Sequence, residues 1–370
     1  MMKLAFKDRV FTGKSFGAEK NIHGEVVFNT AMTGYVEALT DPSYYGQVLV
    51  LSYPLQGNYG VPDGNFESDK IQVAGLVVSR HSEYPSHYTQ KCSLGEWLKS
   101  QGVPAMCGID TRSLTRYLRE HGTATADFLS DHYQEGDGIK KINSRDFLDQ
   151  VAPKKTVTCG VSDTKILFID TGAKENIVRS FVNRGVSLIR APWNSDWEKF
   201  LPEVDGIFFA NGPGDPMNAH SLVEKVAGVF NSDLPIFGIC FGNQLISLAA
   251  GAKTVKMKYG HRSVNQPVCD LLTGKCYITS QNHGYVVDSD SLPEDWEPWF
   301  VNLNDGTNEG IRHKSKPISA VQFHPEARPG PTDTEFLFDD FIQTVKLMKK
   351  DKKAAVHFGK LATAHVGLVA

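Results

Sequence analysis

The second half of the chain alternates short apolar runs with amphipathic stretches, whereas the first half does not. Apolar runs at Lys165–Asp170, Val186–Ala191 and Val204–Ala210 are separated by segments with helical spacing. This alternation predicts a mostly parallel sheet covered by helices on both faces. The first half, to about residue 130, has short β-rich runs between glycines and polar residues, which predicts a mixed, β-rich α/β domain. The predicted fold class is therefore α/β, with two differently organised domains.

Turn and cap signals separate strands from helices within the first half. Ile71–Ser79 has the apolar character of a buried strand. A helix is predicted to begin after Ser93, because Glu96 completes a capping box with it. A second helix is predicted to follow Asp110 and to end before Gly122.

The domain boundary is predicted in a polar connector, because such segments link compact units. This places an N-terminal domain at residues 1–152, a linker at 153–164 and the parallel α/β domain at 165–348. Residues 349–370 are basic and then alanine-rich, and they are expected to be a tail or the start of a linker.

Composition narrows the class of protein. At 370 residues the length suggests roughly two domains, and 41% hydrophobic with 22% charged residues is typical of a globular chain with a buried core. The net charge of −3 makes no case for nucleic acid or an anionic membrane as a partner. No apolar run reaches the ~18 residues of a spanning helix, and no signal or transit segment is evident. We expect a cytoplasmic protein, with the mitochondrial matrix as the alternative.

Cysteine spacing argues against a metal site and against structural disulfides. No two cysteines form a CxxC pair, so neither zinc binding nor a disulfide framework is predicted, and a reducing compartment fits best. The chain contains six cysteines, at positions 92, 107, 159, 240, 269 and 276.

The first candidate for chemistry is a cysteine at the junction of an apolar strand and an apolar helix, in Leu234–Gly251. Gly238 and Gly242 predict a tight turn with unusual dihedrals and no crowding by a Cβ atom, with Cys240 at its tip. The N-terminus of the following helix carries partial positive charge and favours the reactive thiolate. The alternative is a buried structural cysteine.

A second apolar strand, Ile318–Glu326, ends in a histidine and a carboxylate. A nucleophilic thiol needs a base within hydrogen-bond reach, and the base needs a group that orients its ring. His324 and Glu326 suit these two roles, and Pro325 fixes the backbone between them. Since ligands bind at the carboxyl ends of parallel strands, we expect Cys240 and His324 to meet there.

Two loops at the same edge are candidates for substrate binding. In Asn211–Pro216, the N–H of Gly212 or Gly214 can join the N–H of Phe241 in stabilising an oxyanion. The loop lacks the glycine patterns that cradle phosphates, so the alternative is a plain turn.

The second loop, Ser280–Tyr285, is rich in amide and backbone donors that suit recognition of an amino acid. His283 within it is a rival base. It ranks below His324 because no carboxylate stands two residues after it.

The segment Gly238-Ile-Cys-Phe-Gly-Asn-Gln244, with the strand that ends in His-Pro-Glu, resembles the class I glutamine amidotransferases. That motif alone leaves several synthetases open. Over roughly residues 3 to 348 the chain is similar to the small, glutaminase subunits of carbamoyl phosphate synthetase. The segments that carry this resemblance are Gly34–Tyr44, Pro54–Gly60, Gly108–Arg112 and Glu309–Ile311.

The resemblance implies that Cys240 is the nucleophile, His324 the base and Glu326 its orienting partner. L-Glutamine would be hydrolysed through a γ-glutamyl thioester. The ammonia would pass to a large subunit or fused synthetase domain that uses bicarbonate, ATP and magnesium, so no cofactor is expected in this chain. The implied glutamine-binding residues are Ser43, Gly212, Gly214, Phe241, Gln244, Asn282, Gly284 and Tyr285.

Asn243 is a departure from the family pattern, since many members have histidine there. Some relatives with Asn have lost the cysteine and use free ammonia, but this chain keeps Cys240, which predicts glutamine use. The alternative is a catalytically idle scaffold of an ammonia-dependent synthetase. The resemblance leaves open whether arginine or pyrimidine synthesis is supplied, and whether the synthetase is a separate chain.

Overall fold

The computed structural model describes residues 1–64, 66–132, 140–141 and 147–350. The chain divides into two compact units. The first comprises Met1–Phe147 and Lys258–Ser263, and the second comprises Leu148–Met257 and the chain from Val264 on.

The first unit is organised around a mixed sheet of eight strands among the described residues, in the order β10-β3-β4-β6-β8-β2-β1-β9. Strands β3, β4, β6 and β8 run parallel, and β9 also pairs with β3, so the sheet closes on itself. The strands are β1 Met2–Ala5, β2 Val10–Ser15, β3 Ile22–Asn29, β4 Gln47–Gln56, β5 Val61–Pro62, β6 Gly75–His81, β7 Gln90–Cys92, β8 Ala105–Cys107, β9 Ala124–Ser130 and β10 Lys140–Lys141, of which β5 and β7 form a separate pair.

Three helices of this unit are α1 Tyr35–Thr40, α2 Leu94–Ser100 and α3 Thr111–His121. The predicted capping box of α2 is confirmed, since Ser93 and Glu96 bond each other's backbone. The predicted helix after Asp110 is confirmed as α3, which ends at His121, before Gly122 with φ of 90°.

The predicted strand Ile71–Ser79 begins later than the sequence indicates. Ile71 N–H donates to Gln101 Oε1 at 2.6 Å, and Gln72 N–H donates to Leu39 O at 2.8 Å. Because these amides bond outside the sheet, β6 begins only at Gly75.

The second unit is built on a sheet of ten strands among the described residues, in the order β11-β13-β12-β14-β15-β20-β19-β18-β16-β17, of which β16 includes Lys258–Ser263 of the first unit. Its five central strands, from β13 to β20, are parallel. The strands are β11 Val157–Cys159, β12 Lys165–Asp170, β13 Ser187–Pro192, β14 Gly206–Phe209, β15 Ile236–Ile239, β16 Lys253–Asp270, β17 Cys276–Asp288, β18 Trp296–Asn302, β19 Asn308–His313 and β20 Ile318–Val321.

Helices cover both faces of this sheet, because its central strands are apolar on both sides. Leu167 and Ile169 of β12 pack in one buried cluster, and Ile166 and Phe168 pack in another. The first cluster includes residues of α6 and α7, the second residues of α5 and α8. The helices are α4 Phe147–Val151, α5 Glu175–Asn183, α6 His220–Val229, α7 Phe241–Ala250 and α8 Phe336–Lys350.

The predicted α/β fold class is confirmed, with a parallel, helix-flanked sheet in the second half. Within the described ranges, no helix is long and apolar enough to cross a membrane. The predicted domain bounds stay a prediction; in the predicted linker 153–164, Val157–Cys159 forms the edge strand β11. Of the predicted tail 349–370, the part from residue 351 on lies outside the described residues.

Candidate active site

Cys240 lies between β15 and α7, at the carboxyl end of a central strand, as predicted. It is the residue that caps α7, with φ of 56° and ψ of −101°. A positive φ is uncommon for a residue other than glycine and is retained only where the surroundings enforce it. Here Cys240 N–H donates to Val321 O at 2.8 Å, and its carbonyl accepts from Gln244 N–H at 3.2 Å. These bonds from β20 and α7 fix the strained turn.

The flanking glycines provide space rather than unusual dihedrals. A Cβ atom on Gly242 would lie 2.2 Å from Phe209 O, and one on Gly238 would lie 2.8 Å from the Gly242 carbonyl carbon. Neither glycine has a positive φ. The predicted tight turn without room for a Cβ atom is confirmed, and its unusual dihedrals are those of Cys240 itself.

The Cys240 sulfur faces strand β17. The residue is 2% exposed, and its thiol lies 3.7 Å from the carbonyl oxygen of Asn282, to which it donates a weak hydrogen bond. Phe241 is the first residue of α7, and N–H groups in the first turn of an α-helix have no intrahelical acceptor. The Phe241 amide thus suits the predicted role in an oxyanion site.

His324 follows β20, and its position is fixed on two sides. Its N–H donates to Ser280 O at 2.9 Å, and its Nδ1 lies 2.6 Å from Oε1 of Glu326. Both side chains are fully buried. The Nε2 atom makes no hydrogen bond within the part of the chain that the structure describes. The contact with Glu326 favours protonation of Nδ1 and leaves Nε2 to exchange a proton.

The charges around His324 favour its protonated form. Burial by itself would lower the pKa of His324, but the Glu326 carboxylate and the Cys240 sulfur raise it to about 10. The sulfur, imidazole and carboxylate thus form one electrostatically coupled group. The catalytic roles that the sequence predicts for these three side chains stay a prediction.

Lys174 completes this group on the far side of Glu326. Its Nζ lies 3.0 Å from Oε1 of Glu326, and both side chains are buried. Asn176 Nδ2 also donates to the Glu326 carbonyl at 2.6 Å. Burial by itself would raise the pKa of Glu326, but the charges of Lys174 and His324 lower it to about 2.

Sequence reasoning missed Lys174. The residue immediately precedes α5 in the loop after β12, at the edge of the sheet where Cys240 also lies. A lysine just after a buried parallel strand, at the predicted active-site edge, was the available signal.

The predicted oxyanion loop packs closely against the loop that follows β12. A Cβ on Gly212 would lie 2.5 Å from Thr171 O, while Gly214 has φ of 91°. Thr171 Oγ1 also donates to Asn211 O at 2.9 Å. Both glycines are therefore required by the backbone, and their role towards a substrate stays a prediction.

His283 is engaged through both ring nitrogens. Its Nδ1 lies 2.9 Å from Tyr285 O, and its Nε2 lies 3.1 Å from Gln281 Oε1. These contacts agree with the ranking of His283 below His324.

Other predicted substrate residues lie on α7 and β17. Gln244 Nε2 donates to Tyr285 O at 3.0 Å and contacts Gln322 Oε1 at 3.2 Å. Asn282 and Gly284 lie on the same strand as Tyr285. Asn243, at the family's variable position, is buried and donates to Gln322 Oε1 at 3.2 Å.

Ser43, the remaining predicted substrate residue, belongs to the first unit. It lies in a short 3-10 helix, Pro42–Tyr44, and its N–H donates to Asp41 Oδ1 at 2.9 Å. Its part in binding glutamine stays a prediction.

Comparison with known proteins assigns both halves of the chain. The family described as "Glutamine amidotransferase class-I" matches residues 167–344, and "Carbamoyl-phosphate synthase small chain, CPSase domain" matches residues 4–128. A glutamine amidotransferase structure from Thermotoga maritima is 17% identical and covers 54% of this chain and 94% of its own, with a TM-score of 0.38. That structural likeness is too distant to carry an argument.

Curated relatives are much more similar. The carbamoyl phosphate synthase arginine-specific small chain of Neosartorya fischeri is 47% identical over 360 residues, which cover 93% of this chain and 80% of that protein. The protein of the same name from Debaryomyces hansenii is 48% identical over 364 residues, 93% of this chain and 85% of its own. The chain therefore belongs to the family of carbamoyl phosphate synthase small chains and is a glutaminase component with a class I glutamine amidotransferase domain.

Proposed function

We propose that Cys240 hydrolyses L-glutamine through a γ-glutamyl thioester, and that the ammonia passes to a carbamoyl phosphate synthetase large subunit or fused synthetase domain. The observation that carries the proposal is the buried series of Cys240, His324, Glu326 and Lys174 at the carboxyl edge of the parallel sheet. It unites a thiol, a base, an orienting carboxylate and a cation that keeps the carboxylate ionised.

The first half-reaction releases ammonia. His324 already holds a proton on Nε2, because the neighbouring charges raise its pKa to about 10, and the Cys240 sulfur attacks the carboxamide carbon of glutamine as the thiolate. The negative charge that develops on the amide oxygen is stabilised by the N–H of Phe241 with that of Gly212 or Gly214. His324 then gives its proton to the departing nitrogen, and ammonia leaves.

The second half-reaction regenerates the pair of Cys240 thiolate and protonated His324. His324 takes a proton from water as the oxygen attacks the thioester carbon, and the same N–H groups stabilise the second oxyanion. Collapse of this intermediate releases glutamate and the Cys240 thiolate, beside which His324 stays protonated. Glu326 stays ionised throughout, because Lys174 and His324 hold its pKa at about 2.

The α-amino and α-carboxylate groups of glutamine need polar partners near Cys240. We assign these to Ser43, Gln244, Asn282, Gly284 and Tyr285. The contacts of Gln244 with β17 and of the Cys240 thiol with Asn282 support this assignment for the second unit.

The partner would supply ATP, magnesium and bicarbonate chemistry. Because the curated relatives are named arginine-specific small chains, we assign this chain to the supply of carbamoyl phosphate for arginine. Expression in a fungal strain that lacks its own arginine-specific small chain should restore growth without arginine, and failure with a stable, assembled protein would contradict that assignment.

The test of the activity is Cys240→Ser in complex with the synthetase. Glutamine hydrolysis and glutamine-dependent carbamoyl phosphate synthesis should be lost, since a hydroxyl is a far poorer nucleophile than a thiolate at neutral pH. Synthesis from added ammonia should continue. Cys159→Ser, in the edge strand β11, is the matched control and should keep both activities. Glutaminase activity in Cys240→Ser would overturn the assignment.

A further inference from the structure

Two cysteines that the glutaminase chemistry does not use lie opposite each other in the hairpin of β16 and β17. The two strands are neighbours in the sheet. Asp270 N–H donates to Lys275 O at 2.9 Å, so these residues close the hairpin. One residue further from the turn on each strand, Cys269 faces Cys276.

A second contact fixes the same register further along the hairpin. Thr279 Oγ1 donates to Gln266 O at 2.9 Å. Gln266 lies as many residues before Asp270 as Thr279 lies after Lys275, so this contact agrees with the same register. The turn itself is held by Gly274, whose φ is 70° and whose N–H donates to Asp270 O at 2.8 Å. The pairing of the two cysteines therefore follows from the backbone.

The position of Cys269 and Cys276 in the β-ladder is suitable for a disulfide bond. The pair next to a hydrogen-bonded closing pair is the non-hydrogen-bonded type, whose Cα atoms lie roughly 4.5 Å apart. A disulfide needs Cα atoms about 4.4 to 6.8 Å apart. Oxidation therefore needs rotation of two side chains and no change of strand register.

The two thiols differ in accessibility and are weakly held. Cys276 is exposed and Cys269 is half-buried. Cys269 Sγ lies 3.7 Å from Asp270 O, and Cys276 Sγ lies 3.9 Å from Gly274 O, both long contacts for a thiol donor. Burial and then the neighbouring Cys276 thiol raise the pKa of Cys269. Cys276 is therefore the thiol that a reagent meets first.

We propose that Cys269 and Cys276 form a reversible dithiol–disulfide site that reacts with low-molecular-weight disulfides. The Cys276 thiolate attacks one sulfur of the small disulfide, forms a mixed disulfide and releases one small thiol. The Cys269 thiolate then attacks the Cys276 sulfur and releases the second small thiol. Two protein thiols are oxidised and one small disulfide is reduced to two thiols, so atoms and electrons balance.

The bond would join the ends of β16 and β17 next to their turn. Strand β17 continues from Cys276 to the segment that contains Asn282. Opening of the hairpin end is a local unfolding event that a covalent link between the strands opposes. Amide exchange around the turn should therefore be slower in the oxidised protein.

The test uses glutathione disulfide on the folded full-length chain, followed by alkylation and peptide mass spectrometry. The wild type should yield a peptide pair linked between Cys269 and Cys276, which a dithiol reductant separates. Cys269→Ser should instead accumulate glutathione on Cys276, because the resolving thiol is missing. Cys159→Ser should behave as the wild type. A stable glutathione adduct on wild-type Cys276, or no reaction there, would overturn the proposal.

Hydrogen exchange provides the second readout. Amides of residues 268–278 should exchange several-fold more slowly in the oxidised wild type than in the reduced protein. Alkylated Cys269→Ser should show no such change on exposure to glutathione disulfide. Equal exchange of linked and reduced wild type would contradict the constraint on the hairpin.

Discussion

His324 and Glu326 are both ionised at a place where burial alone would favour their neutral forms. Each charge is retained because the other lies 2.6 Å away, with the Cys240 sulfur on one side and Lys174 on the other. Breaking such a buried group by removing one member leaves an uncompensated charge. Replacement of each side chain in this group should therefore have its own measurable effect on activity or stability.

Replacement of the base should be the most damaging change among the histidines. His324→Asn is expected to lower glutamine turnover at least ~10²-fold, because a positioned base contributes about 10² to 10⁴. Glu326→Ala should cost less, since it removes only the orienting group. His283→Asn is the control. Steady-state kinetics in which His283→Asn is worse than both other variants would show that the base is misassigned.

Lys174→Met tests the buried cation. Removing one member of a buried pair typically costs about 3 to 5 kcal/mol of unfolding free energy, whereas an exposed pair contributes about 1 kcal/mol or less. Lys225→Met is the matched control, because its ion pair with Glu198 at 2.8 Å is only partly buried. Urea unfolding should separate the two variants. Similar losses in both would contradict a structural role for Lys174.

The pH dependence of stability follows from the same groups. The pKa of Glu326 is lowered to about 2, so its contribution to stability is present above its unfolded pKa near 4.5 and is lost as pH falls towards 2. The pKa of His324 is raised to about 10, so its contribution is present below about 6.5 and is lost as pH rises towards 10.

His324→Asn should therefore flatten the alkaline fall in stability between pH 6.5 and 10. Lys174→Met should flatten the acid fall between pH 4.5 and 2, because the carboxyl loses the charge that lowers its pKa. Urea unfolding across both windows measures these slopes. Slopes identical to the wild type would contradict the assigned charges.

At the scale of elements, the turn between β15 and α7 depends on close backbone contact. The sequence indicated the strand, the helix and the position of Cys240 between them, because apolar runs and flanking glycines are local signals. It did not indicate that Cys240 carries the positive φ, since this depends on hydrogen bonds from β20. Lys174 was missed for the same reason, because its partner Glu326 is distant in the sequence.

Gly242→Ala tests this turn. The new methyl would lie 2.2 Å from the backbone oxygen of Phe209, which cannot move without shifting β14. Loss of glutaminase activity and a lowered unfolding midpoint are expected. Gly228→Ala, in α6 with no atom near the added methyl, should stabilise the protein by about 0.5 to 1 kcal/mol. A fully active, stable Gly242→Ala variant would contradict the close approach.

At the scale of the whole molecule, two units serve one proposed reaction. The fold of each unit was predictable in outline, since β12 has the predicted bounds and α3 begins and ends at the predicted caps. Long strands such as β16 were not predictable from the sequence, because this 18-residue strand has many exposed polar positions and no clear alternation of apolar and polar residues. Their placement depends on tertiary pairing.

A partner should activate the glutaminase. A chain that hydrolysed glutamine alone would waste it, so binding energy at an interface is expected to bring Cys240, the oxyanion donors and His324 into productive geometry. Glutamate release should therefore rise when an equimolar synthetase subunit, ATP and bicarbonate are added. Equal rates in every condition, with no complex on size-exclusion chromatography, would contradict both the partner and the coupling.

The central claim is that glutamine is hydrolysed through a thioester on Cys240. Acid quenching of the complex during turnover, followed by peptide mass spectrometry, tests it directly. A γ-glutamyl group should be found on Cys240, accumulate and decay with the rate of glutamate release, and be absent from Cys240→Ser. Continued glutamate release by Cys240→Ser, or a glutamyl group on another residue that turns over at the catalytic rate, would contradict the account.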